Sequence, residues 1–204
     1  YLATIGKYQK EEQALFPQMV AELTLELEYQ VNIGEFKDVL GEVFHELELH
    51  NKWKGQFFTP QSVSDLMGRI VMDTKAVRQN VNAFGYININ EPCVGAGAMI
   101  FGFMNAFRAE GFNHSKQVLV VAQDVDERCV WMTYIQLSLY GIPAIVLHQN
   151  TLSLEQYGAP WYSPVYVLDG WQWKRRHAAT LRLREQEYME FMEMLEPRKE
   201  AAAL

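Results

Sequence analysis

The feature that most constrains the fold is an apolar strand that runs directly into a glycine-rich turn, at residues 86–97, YININEPCVGAG. Ile87 and Ile89 are β-branched residues of the kind that fill a buried strand. Gly95 and Gly97 permit positive φ and let a ligand approach the backbone closely. Because a helix is predicted to begin at the next residue, its free N–H groups face the turn. The segment therefore predicts a cradle for a nucleotide-like cofactor.

The chain that follows predicts two further strands with a helix between them. The first helix extends to about Arg108, and an apolar strand at Val118–Ala122 comes next. An acid at the carboxyl end of the second strand of a βαβ unit accepts hydrogen bonds from a ribose, so Asp124 is the predicted ribose ligand. Asp126 is predicted to cap a helix over 127–140, and residues 144–147 form a third short strand. The pattern predicts an α/β fold.

An aromatic segment, KGQFFTP, precedes this unit at residues 54–60. Thr59 and the proline after it predict a helix start with Pro at the first helical position. Phe57 can wall an apolar slot, and Gln56 and Thr59 are polar candidates for ligand contact. A core role for the aromatic side chains is the alternative.

These segments, in this order, resemble the adenine-specific DNA methyltransferases of type I restriction-modification systems, the HsdM-like modification subunits. The match is carried by GQFFTP, by EPCVGAG where that family usually has DPACGSG, by AQDVDE and by LSLYGI. It covers roughly residues 35–152. The resemblance implies a Rossmann-like core that binds S-adenosylmethionine and transfers its methyl group to the exocyclic amine of adenine in DNA.

The resemblance also implies which residues contact the cofactor. In that family both the GxFFTP segment and the glycine-rich turn contact S-adenosylmethionine, and a residue after the third strand contacts its adenine ring. The positions assigned to cofactor binding on this basis are Gln56, Phe57, Thr59, Glu91, Cys93, Gly95, Gly97, Asp124 and Asn150.

The chain departs from the family in the catalytic tetrapeptide, Asn-Pro-Pro-Phe or Asn-Pro-Pro-Tyr, which contacts the flipped target base. The printed sequence contains no such tetrapeptide. A fourth strand is predicted at Val165–Leu168, followed by Asp169 and Trp171. Asp169 could accept from the target amine and Trp171 could stack on the base, so this pair is the candidate replacement. An ordinary strand end and loop is the alternative.

The predicted sheet is also shorter than the family fold requires. After the fourth predicted strand, one amphipathic helix over 173–195 follows, and no Val- or Ile-rich strand comes after it. We therefore expect a truncated sheet that a partner subunit or a second copy completes. The alternative is a catalytically inactive module that acts as a restriction-modification partner or regulator.

Charge gives little support for DNA binding. The net charge is -7, whereas a domain that binds duplex DNA alone usually presents a basic face. The chain has one basic cluster, which could contact DNA phosphate. The alternative is that these residues form a solvated helix surface, balanced by the glutamates that follow. That cluster comprises Lys174, Arg175, Arg176, His177, Arg182 and Arg184.

The sequence predicts three regions. Residues 1–53 form an N-terminal helical segment, with amphipathic helices predicted over 8–28 and 36–50. Residues 54–196 form the Rossmann-like methyltransferase core, and residues 197–204 are a tail that ends in expression-tag residues. The two cysteines have no metal-site spacing, so no metal is predicted, and cytoplasmic residence is the default expectation.

Overall fold

The computed structural model describes residues 2–47 and 59–195 of the chain. These residues form one four-stranded sheet in the order β1-β2-β3-β4. The strands are β1 (Ile87–Glu91), β2 (Val118–Asp124), β3 (Ala144–His148) and β4 (Trp161–Tyr162). The first three strands are parallel, and the short β4 pairs antiparallel to β3. The α/β architecture predicted from the sequence is confirmed.

Helices connect the strands and precede them. The described helices are α1 (Leu2–Ile5), α2 (Lys10–Gln13), α3 (Leu15–Ile33), α4 (Val39–Glu46), α5 (Gln61–Val71), α6 (Thr74–Phe84), α7 (Ala98–Ala109), α8 (Glu127–Leu139), α9 (Pro164–Leu168) and α10 (Trp171–Leu195). None of these helices combines the length and the hydropathy that a membrane span requires.

The core forms around β2, the strand between β1 and β3. Val118, Val120 and Ala122 are buried on one face of it and Leu119 on the other, because both faces of the parallel strands are covered. Phe101 and Phe107 of α7 belong to the same apolar cluster. This packing fixes α7 beneath the carboxyl end of β1, where the glycine-rich turn lies.

Helix α5 crosses α7 at a point where neither helix has room for a side chain. A Cβ at Gly68 would collide with the carbonyl oxygen of Gly102, and a Cβ at Gly102 would collide with the carbonyl oxygen of Ser64. The two helix backbones are therefore in direct contact. This contact fixes where α5 begins relative to the turn that precedes α7.

The prediction of a strand at Val165–Leu168 is wrong, because these residues belong to helix α9. Ser163 caps this helix by accepting a hydrogen bond at Oγ from the Tyr166 N–H, at 3.4 Å. Pro164 occupies the first helical position, where its missing N–H costs nothing. This local start signal outweighs the β-branched character of the two valines that follow.

The N-terminal helices and α5 are shifted from their predicted bounds. The helix predicted over 8–28 is split into α2 and the longer α3, and the one predicted over 36–50 is confined to α4 within the described residues. Phe36 is instead a fully buried core residue before α4. Pro60 is the N-cap of α5, so this helix starts one residue later than the sequence suggested. The boundary between residues 53 and 54 and the tail at 197–204 lie outside the described residues.

Candidate functional site

The turn after β1 is held in shape by its own backbone and by β2. Val94 N–H donates to the carbonyl of Gln123 over 2.9 Å, and Cys93 N–H donates to Glu91 Oε1 over 3.2 Å. Gly97, which caps α7, has a φ of 114°. A Cβ there would lie 2.8 Å from the Phe101 ring, so both the backbone conformation and the packing require glycine.

Asp124, at the end of β2, binds this turn directly. Its Oδ2 accepts from the N–H of Gly95 over 2.9 Å, and its Oδ1 accepts from the N–H of Asp126 over 2.9 Å. A carboxylate group has about four lone-pair sites, so the contacts within the described residues leave two acceptor positions for a ligand hydroxyl. The structure thus places Glu91, Gly95 and Asp124 together at the carboxyl end of the sheet.

The loop after β3 closes over the same end. Thr151 Oγ1 donates to the carbonyl of Pro92 over 2.6 Å, which joins this loop to the turn after β1 across the end of β2. Asn150 Oδ1 accepts from the N–H groups of Leu152 and Ser153 at 3.0 Å and 3.2 Å. The side-chain oxygen of Asn150 therefore shapes its own loop, and the amide nitrogen is the group left for the predicted adenine contact.

Two polar residues of α8 support the turn from behind, and sequence reasoning missed both. Thr133 Oγ1 donates to the carbonyl of Gly95, and Gln136 Nε2 donates to the carbonyl of Ala96, each over 2.9 Å. Gln136 Nε2 also donates to Asp38 Oδ1 over 2.9 Å. One fully buried amide therefore connects the glycine-rich turn to the segment before α4.

Asp38 is the carboxylate of this connection, and its side chain is only 5 % exposed. Burial raises the pKa of Asp38 above its ordinary value, and hydrogen bonds from Gln136 and from the N–H of Gly41 counteract part of that rise. The same carboxylate caps α4, because Gly41 N–H donates to Oδ1 over 2.8 Å. Asp38 was not singled out from the sequence, where it is one acid among many.

A cavity of about 280 Å³ opens beside Asp38, between α4 and the start of α5. Three carboxylates face this cavity, together with Thr59, which was predicted to contact the cofactor. The lining residues are Asp38, Gly41, Glu42, His45, Glu46, Thr59, Pro60 and Gln61. Since Gln136 contacts both Asp38 and Ala96, the cavity lies one side chain away from the glycine-rich turn.

A second hydrogen-bond network holds the wall of this cavity against α7. Asn105 Oδ1 accepts from the N–H of Phe36 over 2.6 Å, and Asn105 Nδ2 donates to Asp65 Oδ1 over 2.8 Å. Gln61 Nε2 donates to the same oxygen of Asp65 over 2.9 Å. The segment before α4, the first turn of α5 and α7 are thereby connected into one unit.

The structure does not bring the predicted catalytic pair to this end of the sheet. Ser163, directly before α9, pairs with Ala144, the first residue of β3, through two hydrogen bonds of 3.0 Å and 2.9 Å. Trp171 is fully buried and packs edge-on against Tyr86, directly before β1, at 5.2 Å between ring centroids. Asp169 and Trp171 therefore lie near the amino ends of the strands, at the other end of the sheet from Asp124. This position does not fit the predicted stacking of Trp171 on a flipped base.

Only some of the remaining predicted site residues lie within the part of the chain that the structure describes. Gln56 and Phe57 lie outside the described residues. Cys93 is exposed on the turn, whereas Cys129 is buried on α8. Burial raises the pKa of the Cys129 thiol to about 12. Within residues 2–47 and 59–195, no cluster of histidine, cysteine, aspartate and glutamate could hold a metal ion.

A comparison with protein families identifies the family of the chain. The model of the N-6 DNA methylase family matches residues 35–201, which is well over half of the 204-residue chain. No curated protein and no solved structure matches the chain significantly. The matched range begins just before Phe36, and it includes the glycine-rich turn, Asp124 and the whole of α10.

Proposed function

Because the chain belongs to the N-6 DNA methylase family, we propose that the carboxyl end of its sheet binds S-adenosylmethionine. The observation that carries this proposal is the convergence of Glu91, the glycine-rich turn and Asp124 at one edge of the sheet. In an open α/β sheet, ligands bind outside the carboxyl ends of the strands. The carboxylates suit ribose hydroxyls, since each keeps free acceptor capacity.

Each part of the cofactor has a chemically suitable group nearby. Glu91 and Asp124 accept from the ribose hydroxyls, and the amide nitrogen of Asn150 donates to a ring nitrogen of the adenine. Gly95 and Gly97 let the cofactor approach the backbone, and Cys93 contributes packing. The proposed contacts with the methionyl end come from Thr59, Gln56 and Phe57.

The acidic cavity between α4 and α5 fits the methionyl end for an electrostatic reason. S-adenosylmethionine carries an ammonium and a sulfonium, and the cavity presents the carboxylates of Asp38, Glu42 and Glu46. Glu42 also pairs with Lys37 at 2.6 Å, so Asp38 and Glu46 are the carboxylates without this partner. The start of α5 adds a helix N-terminus, which stabilises a carboxylate such as that of the methionyl group. The ammonium and the carboxylate of the methionyl end therefore each have a partner of opposite charge.

The proposed reaction is methylation of the exocyclic amine of adenine in DNA. Bound S-adenosylmethionine supplies the activated methyl group for that amine. The residues at the carboxyl end contribute orientation and exclusion of water, which lower the barrier by fixing the reactants in line. Asp169 and Trp171 lie at the opposite end of the sheet, so other residues hold the target base in this proposal.

The free edge of β1 is the place where a partner would complete the sheet. β1 pairs with β2 on one side, and no strand lies on its other side among the residues that the structure describes. Asn88 is exposed there, beside a groove of about 400 Å³ that Ile87, Ile89 and Phe103 also line. We propose that a partner subunit or a second copy adds a strand at this edge, within a restriction-modification assembly.

A second candidate function is an inactive module of the same fold that binds a restriction-modification partner. The position of Trp171 favours it, because a fully buried core side chain cannot stack on a DNA base. The net charge of -7 also gives no general attraction to DNA. This candidate keeps the cofactor site and loses methyl transfer.

Calorimetric titration with S-adenosylmethionine tests the cofactor site. We expect binding by the wild-type chain and at least about tenfold weaker binding by Asp124→Asn, because hydrogen bonds to charged groups contribute roughly 1.5–3 kcal/mol. Asp73→Asn is the matched control, since Asp73 also accepts from a backbone N–H, that of Ala76, but at the start of α6. Equal affinities for the three proteins, or no binding by a folded wild-type chain, would reject the site.

Methyl incorporation into DNA separates the two candidates. With tritiated cofactor, the enzyme candidate predicts label in adenine of duplex DNA that Asp124→Asn reduces and Asp73→Asn does not. Cofactor binding without any label, alone and with a strand-donating partner, would select the inactive module.

A further inference from the structure

Helix α10 extends beyond the body of the protein. Its first half packs on the amino end of the sheet through Trp171 and Ala178, both fully buried. From Leu183 to Met192 every side chain is exposed. A helix of this length outside the core is stable only if another surface covers its apolar residues or if charge pairs support it.

One exposed stripe runs along nearly the whole of α10. Its residues recur at intervals of three and four, so they lie on one face of the helix, as in the seam of a coiled coil. The aromatic side chains at its two ends are 63 % exposed (Trp173), 61 % (Tyr188) and 52 % (Phe191). We call this stripe the α10 seam; it consists of Trp173, His177, Thr180, Arg184, Tyr188 and Phe191.

The charges of α10 are separated along its length. Residues 171–184 contain five Lys and Arg residues and no acid, whereas residues 185–192 contain three glutamates and no Lys or Arg. Such separation is unfavourable for a helix that pairs in parallel with its own copy, because like charges then meet. It is favourable for antiparallel pairing, because each basic half meets an acidic half.

We propose that the α10 seam pairs antiparallel with the α10 seam of a second copy of this chain. A two-fold axis near Arg182 places Trp173 of one copy against Phe191 of the other, and the symmetry makes this contact occur twice. Arg176 and Glu187 lie on the same flank of the seam, so each meets its opposite charge in the other copy. The paired length from 173 to 191 is about 27 Å at 1.5 Å per residue.

The self-complementarity identifies a second copy as the occupant. A DNA backbone would attract the basic half and repel the glutamates of the other half of the same face. A second α10 offers Glu187 to Arg176 and Arg176 to Glu187. Lys174, Arg175 and Arg182 instead contact the protein's own aromatic residues Trp171, Tyr166 and Phe84. Arg182 of α10 lines the groove beside β1, but the seam lies on the opposite face of the helix. No seam residue belongs to the proposed cofactor site, so this dimer does not depend on S-adenosylmethionine binding.

Sedimentation velocity over a range of chain concentrations tests the pairing. We expect a dimer fraction that rises with concentration, and a shift toward monomer for the double variant Trp173→Ala/Phe191→Ala. Both residues are exposed, so circular dichroism should show an intact fold. Met189→Ala is the matched control, because Met189 is 54 % exposed but lies on the opposite face of the helix. A wild-type chain that stays monomeric, or a dimer that the double variant retains, would overturn the proposal.

A charge-swap experiment tests the antiparallel register. Arg176→Glu and Glu187→Arg should each weaken self-association, because each creates two like-charge contacts. An equimolar mixture of the two variants should form a heterodimer again, since both contacts then join opposite charges. Failure of the mixture to associate while the wild-type chain dimerises would reject this register. If the wild-type chain is monomeric and binds DNA, and Arg176→Glu no longer binds it, the basic half of α10 would instead be assigned to contact with DNA phosphate.

Discussion

The two ends of the sheet are held together by different forces. At the carboxyl end, polar side chains from five segments distant in sequence are joined by hydrogen bonds, with Gln136 and Asp124 at the centre. At the amino end, Trp171 and Tyr86 pack as an aromatic pair. The contrast indicates where a ligand can bind, because polar groups with spare acceptor capacity occur at the first end.

The difference also shows how the turn after β1 affects the stability of the fold. The turn after β1 exposes backbone carbonyls to the interior, and an unpaired buried carbonyl destabilises the fold by about 1–3 kcal/mol. Thr133 and Gln136 remove that penalty for Gly95 and Ala96. At the amino end the indole N–H of Trp171 is buried without a hydrogen-bond partner among the described residues. Packing alone compensates for it there.

The largest expected effect is on the amino end. Trp171→Ala should lower the free energy of unfolding by about 3–5 kcal/mol, because it opens a large cavity in a close-packed core. The S-adenosylmethionine affinity of the folded fraction should not change. Urea unfolding and cofactor titration measure the two quantities. Tyr29→Ala, at an exposed position on α3, is the control, with an expected stability change within about 0.5 kcal/mol. Weaker cofactor binding by folded Trp171→Ala would remove the distinction between the two ends.

The second prediction concerns the hydrogen-bond network of the carboxyl end. Gln136→Leu should lower the free energy of unfolding by about 2–4 kcal/mol, since it leaves Asp38 and the carbonyl of Ala96 without this donor. Cofactor affinity should fall as well, because the turn loses its support. Ser138→Ala on the same helix is the control.

The Ser138 hydroxyl is buried without a hydrogen-bond partner in the described structure, so its removal should be neutral or stabilising. Equal losses of stability in Gln136→Leu and Ser138→Ala, measured by urea unfolding, would contradict the role given to the network.

The smallest expected effect is the pH dependence contributed by Asp38. Its pKa is raised in the folded state above 3.8, so the folded chain binds more protons than the unfolded chain between the two values. Stability relative to Asp38→Asn should therefore rise as the pH falls from neutral through that window, by about 1.4 kcal/mol per unit of pKa shift. Urea unfolding of both proteins at several pH values measures this difference. A relative stability that falls with acidification would show that the carboxylate is stabilised in its charged form.

The strands and helices around the turn could be predicted because local pattern decides them. β2 is a continuous apolar run, and Asp126 caps α8 through the N–H of Arg128 as expected. The error at α9 is also local in origin. Val165 and Val167 indicated a strand, but Ser163 and Pro164 form a helix start that competes with it.

The support behind the turn could not be predicted because it joins residues far apart in sequence. Gln136 and Asp38 are 98 positions apart, and no local pattern marks a glutamine on a helix as a connector. The available signal was that Thr133 and Gln136 share the buried face of α8 with Leu137. Polar side chains on an apolar face indicate a buried partner, but they do not identify it.

Thiol modification of Cys93 tests the central claim most directly, because this residue lies on the turn that is proposed to hold the cofactor. Cys93 is exposed and should react with a maleimide, whereas burial and a raised pKa should keep Cys129 unreactive. Saturating S-adenosylmethionine, at about ten times its Kd, should slow the reaction of Cys93 about tenfold, because the bound fraction is protected. An unchanged rate, with cofactor binding shown by titration, would place the cofactor elsewhere and contradict the account.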